Sequence, residues 1–280
     1  MTTIAVTGAS GQLGRLAIAA LKARGASPIA LARSPAKAAD LGVETRAFDY
    51  AAADPAALTG VDVLVLISSN DFNDRAGQHR KAIAAAKAAG VGRIVYTSLL
   101  KGEASPMLLA QDHIETEAAL KASGLATTIL RNGWYTENFT GALGPAIQFG
   151  TILGAAGEGR VSSASRADYA EAIAVTALDA AHEGKVYELA GDTAHSGADL
   201  AAAVAAASGK PVAYVSLPQA DYAKALEGFG LPAGFAAILA DSDACSGRGA
   251  LFDDSKTLSR LIGRPTTPMA DTVAAAVKAL

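Results

Sequence analysis

The chain has one cysteine, Cys245, in 280 residues. That excludes an intrachain disulfide and any zinc cluster built on cysteines. Aromatic residues are 5 % of the chain, with a single tryptophan, so helices and sheet must pack closely through small and aliphatic side chains. Excess charge of one sign is also lacking, since 24 Lys and Arg stand against 27 Asp and Glu. With the basic residues scattered, nothing offers a broad attraction to nucleic acid or anionic lipid. Polar or charged residues interrupt every apolar run before it reaches membrane-spanning length. The opening MTTIAV has no basic segment, long apolar stretch and small-residue cleavage site in succession, so no secretory leader is read there and the expected location is the cytoplasm.

What is present is a chain that is 51 % apolar, enough for one large core or a domain with a smaller companion. Short β-branched or apolar runs alternate with alanine-rich segments, the pattern of a parallel sheet covered on both faces. Strands are expected at Ile4–Thr7, Ile29–Ala32, Thr45–Phe48, Val63–Ile67, Ile94–Thr97 and Thr127–Leu130, with helices between them. Ser34-Pro35 and Asp54-Pro55 read as helix starts, and Gly90 as the stop of HRKAIAAAKAAG. After Asn132 the alternation loosens into glycine-rich turns, a helix over Asp168–Ala181, a strand-like KVYELAG and two further helices. The fold class is therefore α/β, a Rossmann-like doubly wound parallel sheet over residues 1–132. Residues 133–280 are expected to form a smaller α/β substrate lobe with segments returning to that sheet.

The stretch TGASGQLG lies between the first strand and the first helix, the context that a dinucleotide fingerprint requires. Gly8 suits the sharp turn, Gly11 lets a pyrophosphate approach the main chain, and Gly14 lets the helix pack on the strand. Backbone around Ala9, Ser10, Gln12 and Leu13 then faces the phosphates. The second strand ends in Arg33 and Ser34 where an NAD site usually carries a carboxylate. A guanidinium there can fork onto a 2′-phosphate, each charge-assisted contact being worth roughly 1.5–3 kcal/mol, so NADPH is the expected cofactor. Ser34 also stands where a helix cap is needed. Asp49 can accept from the adenine amino group or cap the turn before Asp54. Ser68, Ser69 and Asn70 follow the fourth strand at the carboxyl edge, where the nicotinamide half is expected.

Carbonyl reductases on this scaffold commonly use a tyrosine with a lysine four residues on. None of the seven tyrosines has that lysine. In its place stand His113 and Glu117, one helical turn apart, readable as an imidazole acid beside a carboxylate or as an ordinary ion pair on a solvated face. A missing obligatory acid suits a quinone, whose reduction spreads negative charge over a ring, with positioning supplying most of the catalysis. Asn132, Gly133, Trp134, Tyr135, Thr136 and Glu137 follow the sixth strand. There Asn132 can bond a carboxamide or an acceptor oxygen, and the rings can flank a planar substrate. Asp241, Asp243, Asp253 and Asp254 match no cation loop and are read as helix caps. No metal site is expected, and His79, His182 and His195 are read as structural or exposed.

The segments VTGASGQLG, ARSPAKA, LISS, YTSLL, HIETE, LRNGWYTEN, SRADYA, HEGKVYELAG and LFDDSKTLSRLIGRPTT together resemble the NmrA-like branch of the atypical short-chain dehydrogenases. Within that branch the resemblance is to the bacterial type 2 NAD(P)H:quinone oxidoreductases. It spans almost the whole chain and departs at NDFND, residues 70–74. It implies NADPH along the glycine loop and flavin-free two-electron reduction of a small planar quinone, by a protein that is a monomer or homodimer. It also places cofactor contacts at Gly8–Leu13, Arg33, Ser68–Asn70 and Asn132–Glu137. The same branch includes NADP(H)-binding redox sensors that act through a protein partner. That reading, and reduction of a conjugated cation such as a dye, stand as alternatives.

Overall fold

The computed structural model describes residues 2–280. The chain divides into two compact units. The first comprises the chain up to Gly102, with Asp112–Asn132 and Arg166–Tyr187, and the second Glu103–Gln111, Gly133–Ser165 and Glu188–Leu280.

The first unit is built on six strands, of which IAV, IALA and VLVL are continuous apolar runs, as burial on both sheet faces demands. They are β1 (Ile4–Val6), β2 (Ile29–Ala32), β3 (Thr45–Ala47), β4 (Val63–Leu66), β5 (Arg93–Leu99) and β6 (Ala126–Asn132). Between them run α1 (Gln12–Ala23), α2 (Arg75–Ala88) and α3 (Ala110–Ser123). The sheet order is β3-β2-β1-β4-β5-β6, completed by the strand Val186–Leu189. Pairings from β3 to β6 are parallel, with Ala5 opposite Ile29 on one side and Leu64 on the other. The order reverses between β1 and β4, and ligands bind such sheets in the crevice at the carboxyl ends of the two strands.

Helix α1 shows why the sheet is covered so closely. Leu13, Gly14, Ala17, Ile18 and Leu21 form its buried stripe at helical spacing, and Gly25, at φ 81°, follows its end. A core of Leu31, Leu64, Leu66, Ile83, Ile94 and Leu120 fills one sheet face. The segment after Ser34 is a 3-10 turn, Pro35–Leu41, rather than an α-helix, closed by Gly42 at φ 63°. Ser34 stands at its cap position but makes no capping bond. Asp54 does cap, accepting from Ala56 N at 2.9 Å, over the single turn Pro55–Leu58.

The second unit contributes α4 (Glu137–Thr140), α5 (Leu143–Phe149) and β7 (Thr151–Gly154). Helix α6 (Arg166–Leu178) belongs to the first unit, and β8 is the Val186–Leu189 strand. There follow α7 (Gly197–Ser208), β9 (Ala213–Ser216), α8 (Gln219–Gly228), α9 (Ala233–Ser246), α10 (Thr257–Ile262) and α11 (Met269–Lys278). β7 and β9 pair in parallel, and Leu143, Leu200, Val204 and Val273 form a core of their own. Helix α7 opens on a full capping box between Ser196 and Asp199. Among the described residues no helix is long and apolar enough to cross a membrane.

Candidate functional site

At the order reversal, the ends of β1 and β4 are sewn together by one hydroxyl. Thr7 Oγ1 accepts from Ile67 N at 2.9 Å and lies 3.1 Å from the Val65 carbonyl. The Tyr50 hydroxyl lies 2.6 Å from the Ile67 carbonyl and 2.7 Å from Thr7 Oγ1. Burial pushes the Tyr50 phenol up, so it stays protonated as a structural donor. On this floor sits the glycine loop. Gly8 turns the chain at φ 60°, and its carbonyl accepts from Gly11 N at 2.9 Å. A Cβ on Gly14 would meet that carbonyl at 2.3 Å and Ala9 Cα at 2.8 Å, so only glycine allows α1 to start this close.

Not every amide of the loop is available. Ala9 N donates to Leu31 O at 3.1 Å, and the Ala9 side chain is fully buried. Ala9 therefore anchors the loop to β2 rather than presenting a donor. Gly11 caps α1 with no side-chain bond, and the first turn carries no acidic residue. The Gln12 and Leu13 amides thus stand at the positive end of the helix with no side chain competing for an anion. The cradle fits a dinucleotide pyrophosphate on these grounds.

Arg33 and Ser34 are exposed just beyond β2, and no side chain among the described residues holds the Arg33 guanidinium. Arg15 has a different task. Its Nε donates to Ser10 O at 3.2 Å, and its Nη groups reach Lys37 O at 2.5 Å and Asp40 at 2.6 and 3.1 Å. One guanidinium thereby ties the glycine loop to the turn that follows Arg33. Asp49 accepts from Ala51 N at 3.0 Å, so the capping alternative is realised at one of its two oxygens.

The loop after β4 is held unevenly. Ser68 N donates to Thr97 Oγ1 at 2.8 Å, and the residue is half-buried. Ser69 is buried, with N, Oγ and O bonded to His79, Gln78 and Arg75 respectively. Asn70 is exposed. Ser68 and Asn70 are therefore the members of the trio with groups to offer a ligand.

The expected pairing of His113 with Glu117 is not formed. His113 is buried, and its Nδ1 lies 2.8 Å from the Tyr96 hydroxyl. Burial and the Arg75 charge hold it well below the usual histidine range, so the imidazole is neutral and its expected role as a proton donor near neutral pH fails. Glu117 is taken by other partners: Ser98 Oγ donates at 2.5 Å, and Arg131 forks onto both oxygens at 3.0 and 2.6 Å. Both residues face inward because α3 packs this side against the sheet. Asn132 ends β6 buried, opposite Leu99, with its carbonyl accepting from Leu100 N at 2.9 Å.

In the second unit, Gly133 N donates to Leu189 O at 2.7 Å. Trp134 and Tyr135 are half-buried, Tyr135 bridging to Ala164. The buried Thr136 hydroxyl lies 2.9 Å from Ser163 Oγ, which lies 2.8 Å from His195 Nε2. Glu137 opens α4. Thr136 is thus fixed by a hydroxyl-imidazole chain that the sequence did not announce. Asp241 and Asp243 are not helix caps. They lie inside α9 and accept from Leu108 N at 2.8 Å and from Ala155 N. Asp243 borders a cavity of about 60 Å³ with Tyr214, Tyr222 and His195, and burial raises its carboxyl above the usual range.

This geometry has close relatives. The chain is 53 % identical over 277 residues to quinone oxidoreductase 2 of Escherichia coli, covering 96 % of this chain and 97 % of that protein. A crystal structure of the E. coli NADPH-dependent quinone oxidoreductase complexed with NADPH superposes with a TM-score of 0.93 at 51 % identity, covering 98 % of this chain and 99 % of that one. The Citrobacter sp. triphenylmethane reductase complexed with NADP(H) gives a TM-score of 0.91 at 34 % identity, covering 98 % and 100 %. Residues 8–181 match the family model described as NAD(P)H-binding, and a match beginning at Gly8 of the cradle and spanning more than half of the chain makes this protein a member of that NAD(P)H-binding family.

Proposed function

We propose that the protein is an NADPH-dependent quinone reductase, passing two electrons to a small planar quinone without a flavin. The observation that carries the reading is the nearly full-length likeness, at 53 % identity, to a quinone oxidoreductase. The cradle at Gly8–Leu13 and the exposed Arg33 at the end of β2 support it from this chain's own residues.

In the mechanism the Gln12 and Leu13 amides hold the pyrophosphate, and Arg33 with Ser34 contacts the 2′-phosphate. Ser68 and Asn70 contact the ribose on the nicotinamide side. Asn132 orients the carboxamide or an acceptor oxygen. NADPH, when bound, supplies the hydride that the acceptor takes up. The quinone gains that hydride and one proton to become the hydroquinone. The proton comes from solvent, because His113 is neutral and buried and the Tyr96 phenol, raised by burial, is engaged with the His113 Nδ1 at 2.8 Å. Catalysis then rests on positioning rather than on an obligatory acid. We place the reaction in the cytoplasm and read the active form as a monomer or homodimer.

The test is rapid-mixing oxidation of NADPH by purified, flavin-free protein with benzoquinone and naphthoquinone acceptors. Turnover with quinones, undiminished by removing traces of flavin, is the expected result. Tight NADPH binding with no oxidation by any quinone would instead leave a nucleotide-binding sensor.

A further inference from the structure

Ser69 has three hydrogen-bonding groups, and one helix takes all three. Its N–H donates to His79 Nε2 at 2.9 Å, its hydroxyl donates to Gln78 Oε1 at 2.9 Å, and its carbonyl accepts from Arg75 Nε at 2.6 Å. Gln78 extends the grip by donating to Asp71 Oδ2 at 2.6 Å. Ser69, Arg75, Gln78 and His79 are all buried, His79 completely.

The proton positions on His79 follow from both ends of the network. A backbone N–H can only donate, so Nε2 must be the bare, accepting nitrogen. On the other side of the ring, Nδ1 lies 2.9 Å from Thr116 Oγ1. The Thr116 proton is already committed to Asp112 O at 2.7 Å, so Thr116 accepts and Nδ1 donates. The two constraints agree on one neutral tautomer. A protonated ring would place a donor against the Ser69 N–H and break the grip.

Ser69 has no polar group left for a ligand, yet it lies between Ser68 and Asn70, which do. We propose that His79, in its Nδ1–H tautomer and assisted by Gln78 and Arg75, is a positioning residue that sets the Ser68–Asn70 loop for the nicotinamide half of the cofactor. This rests on the reading that Ser68 and Asn70 contact that half. Thr116, one step further away, selects the tautomer.

The test compares two ligands on the full-length chain by calorimetry: NADPH, and 2′,5′-ADP, which carries only the adenosine half. His79→Leu removes the acceptor for the Ser69 N–H and is expected to weaken NADPH by about tenfold while leaving 2′,5′-ADP within about twofold. His79→Gln places an amide oxygen where Nε2 stood and restores most of the affinity. Thr116→Val, nearly isosteric, removes the Nδ1 partner and gives an intermediate loss confined to NADPH, so the proposal remains testable if His79→Leu does not fold. Equal losses for the two ligands reduce His79 to a packing residue and overturn the proposal, as does NADPH affinity unchanged in both His79→Leu and Thr116→Val. Nitrogen NMR of the unmodified protein gives an independent reading, and a protonated Nε2 on His79 overturns the assignment. Ser68→Ala and Asn70→Ala with NADPH affinity intact would instead remove the contacts on which the proposal stands, whatever the quinone assay shows.

Discussion

Arg131 and Glu117 form a two-pronged ion pair, Nη2 to Oε2 at 2.6 Å and Nε to Oε1 at 3.0 Å, with side chains only 21 % and 17 % exposed. Ser98 donates a third bond to the same carboxylate. A carboxylate with both oxygens engaged in this way ties α3 to β5 and β6 rather than serving the chemistry. Glu117→Gln strands a largely buried guanidinium, at a cost of about 2–4 kcal/mol. If Glu117 were part of a general acid, its loss would cost kcat at least about a hundredfold. We expect a clear fall in the urea midpoint with kcat for quinones changed less than about threefold. Denaturation curves and steady-state rates on the same variant separate the two.

The buried histidines make stability depend on pH in a defined direction. His79 is lowered from 6.5 to about 3 by burial and by the Arg75 charge, and His113 is lowered well below 6.5 for the same reasons. Unfolded, each takes up a proton below pH 6.5, whereas folded, neither does so until the solution is far more acidic. The unfolded state therefore binds more protons, and stability is complete above pH 6.5 and lost as pH falls toward 3. The slope is ~1.4 kcal/mol per pH unit for each histidine. Urea titrations of the parent and of His79→Gln between about pH 7 and pH 5 should differ in slope by an amount that grows to close to one proton at the acid end. Parallel slopes would mean that His79 is already charged or exposed.

Gly14 carries a steric prediction. A methyl group there would stand 2.3 Å from Gly8 O and 2.8 Å from two further backbone atoms, Ala9 Cα and Gly8 C. No flexible side chain is present to yield, so the loop or the start of α1 must move. Gly14→Ala should cost about 1–3 kcal/mol in stability and weaken dinucleotide binding together with it. Gly25→Ala is a useful contrast, because nothing lies within 4 Å of its Cβ position and only the strain of φ 81° opposes it. Calorimetry should find cofactor affinity lost in the first variant and retained in the second.

The features legible in the sequence were those set by local chemistry. Apolar or β-branched runs of four or five residues placed the six strands from Ile4 to Leu130, although β5 and β6 each extend to seven residues, Arg93–Leu99 and Ala126–Asn132. The strand-loop-helix context placed the cradle at Gly8, Gly11 and Gly14. What could not be read depends on which way a helix faces. The i, i+4 spacing of His113 and Glu117 put them on one face, but not which face. Turned inward, they meet Tyr96 and Arg131 instead of each other and the solvent. The grip on Ser69 was equally hidden, because the bonds that Arg75, Gln78 and His79 make to it depend on the inward turn of α2, which spacing does not encode. Asp241 and Asp243 carry the same lesson, as carboxylates that bond to distant backbone amides from the middle of a helix leave no trace in spacing. A surplus of polar residues on α2, where a buried helix needs apolar ones, was the available signal.

The end of β2 gives the last prediction and a control within it. Arg33 is exposed and held by no side chain among the described residues, whereas Arg15 is fully engaged with Ser10, Lys37 and Asp40. If Arg33 reads the 2′-phosphate, Arg33→Gln should raise the NADPH dissociation constant by about ten- to a hundredfold, the worth of one charge-assisted contact, and leave NADH unchanged. Arg15→Gln acts differently, because it loosens the tie between the glycine loop and the Pro35–Leu41 turn. It should weaken both nucleotides, with the greater loss for NADPH because the freed Asp40 carboxylate then lies in the turn that follows Arg33. Adding Asp40→Asn to Arg15→Gln removes that charge and should narrow the gap between the nucleotides without restoring NADH affinity. Titrations of the three variants with both nucleotides decide it, and equal losses of NADPH and NADH in Arg33→Gln would take the 2′-phosphate away from Arg33.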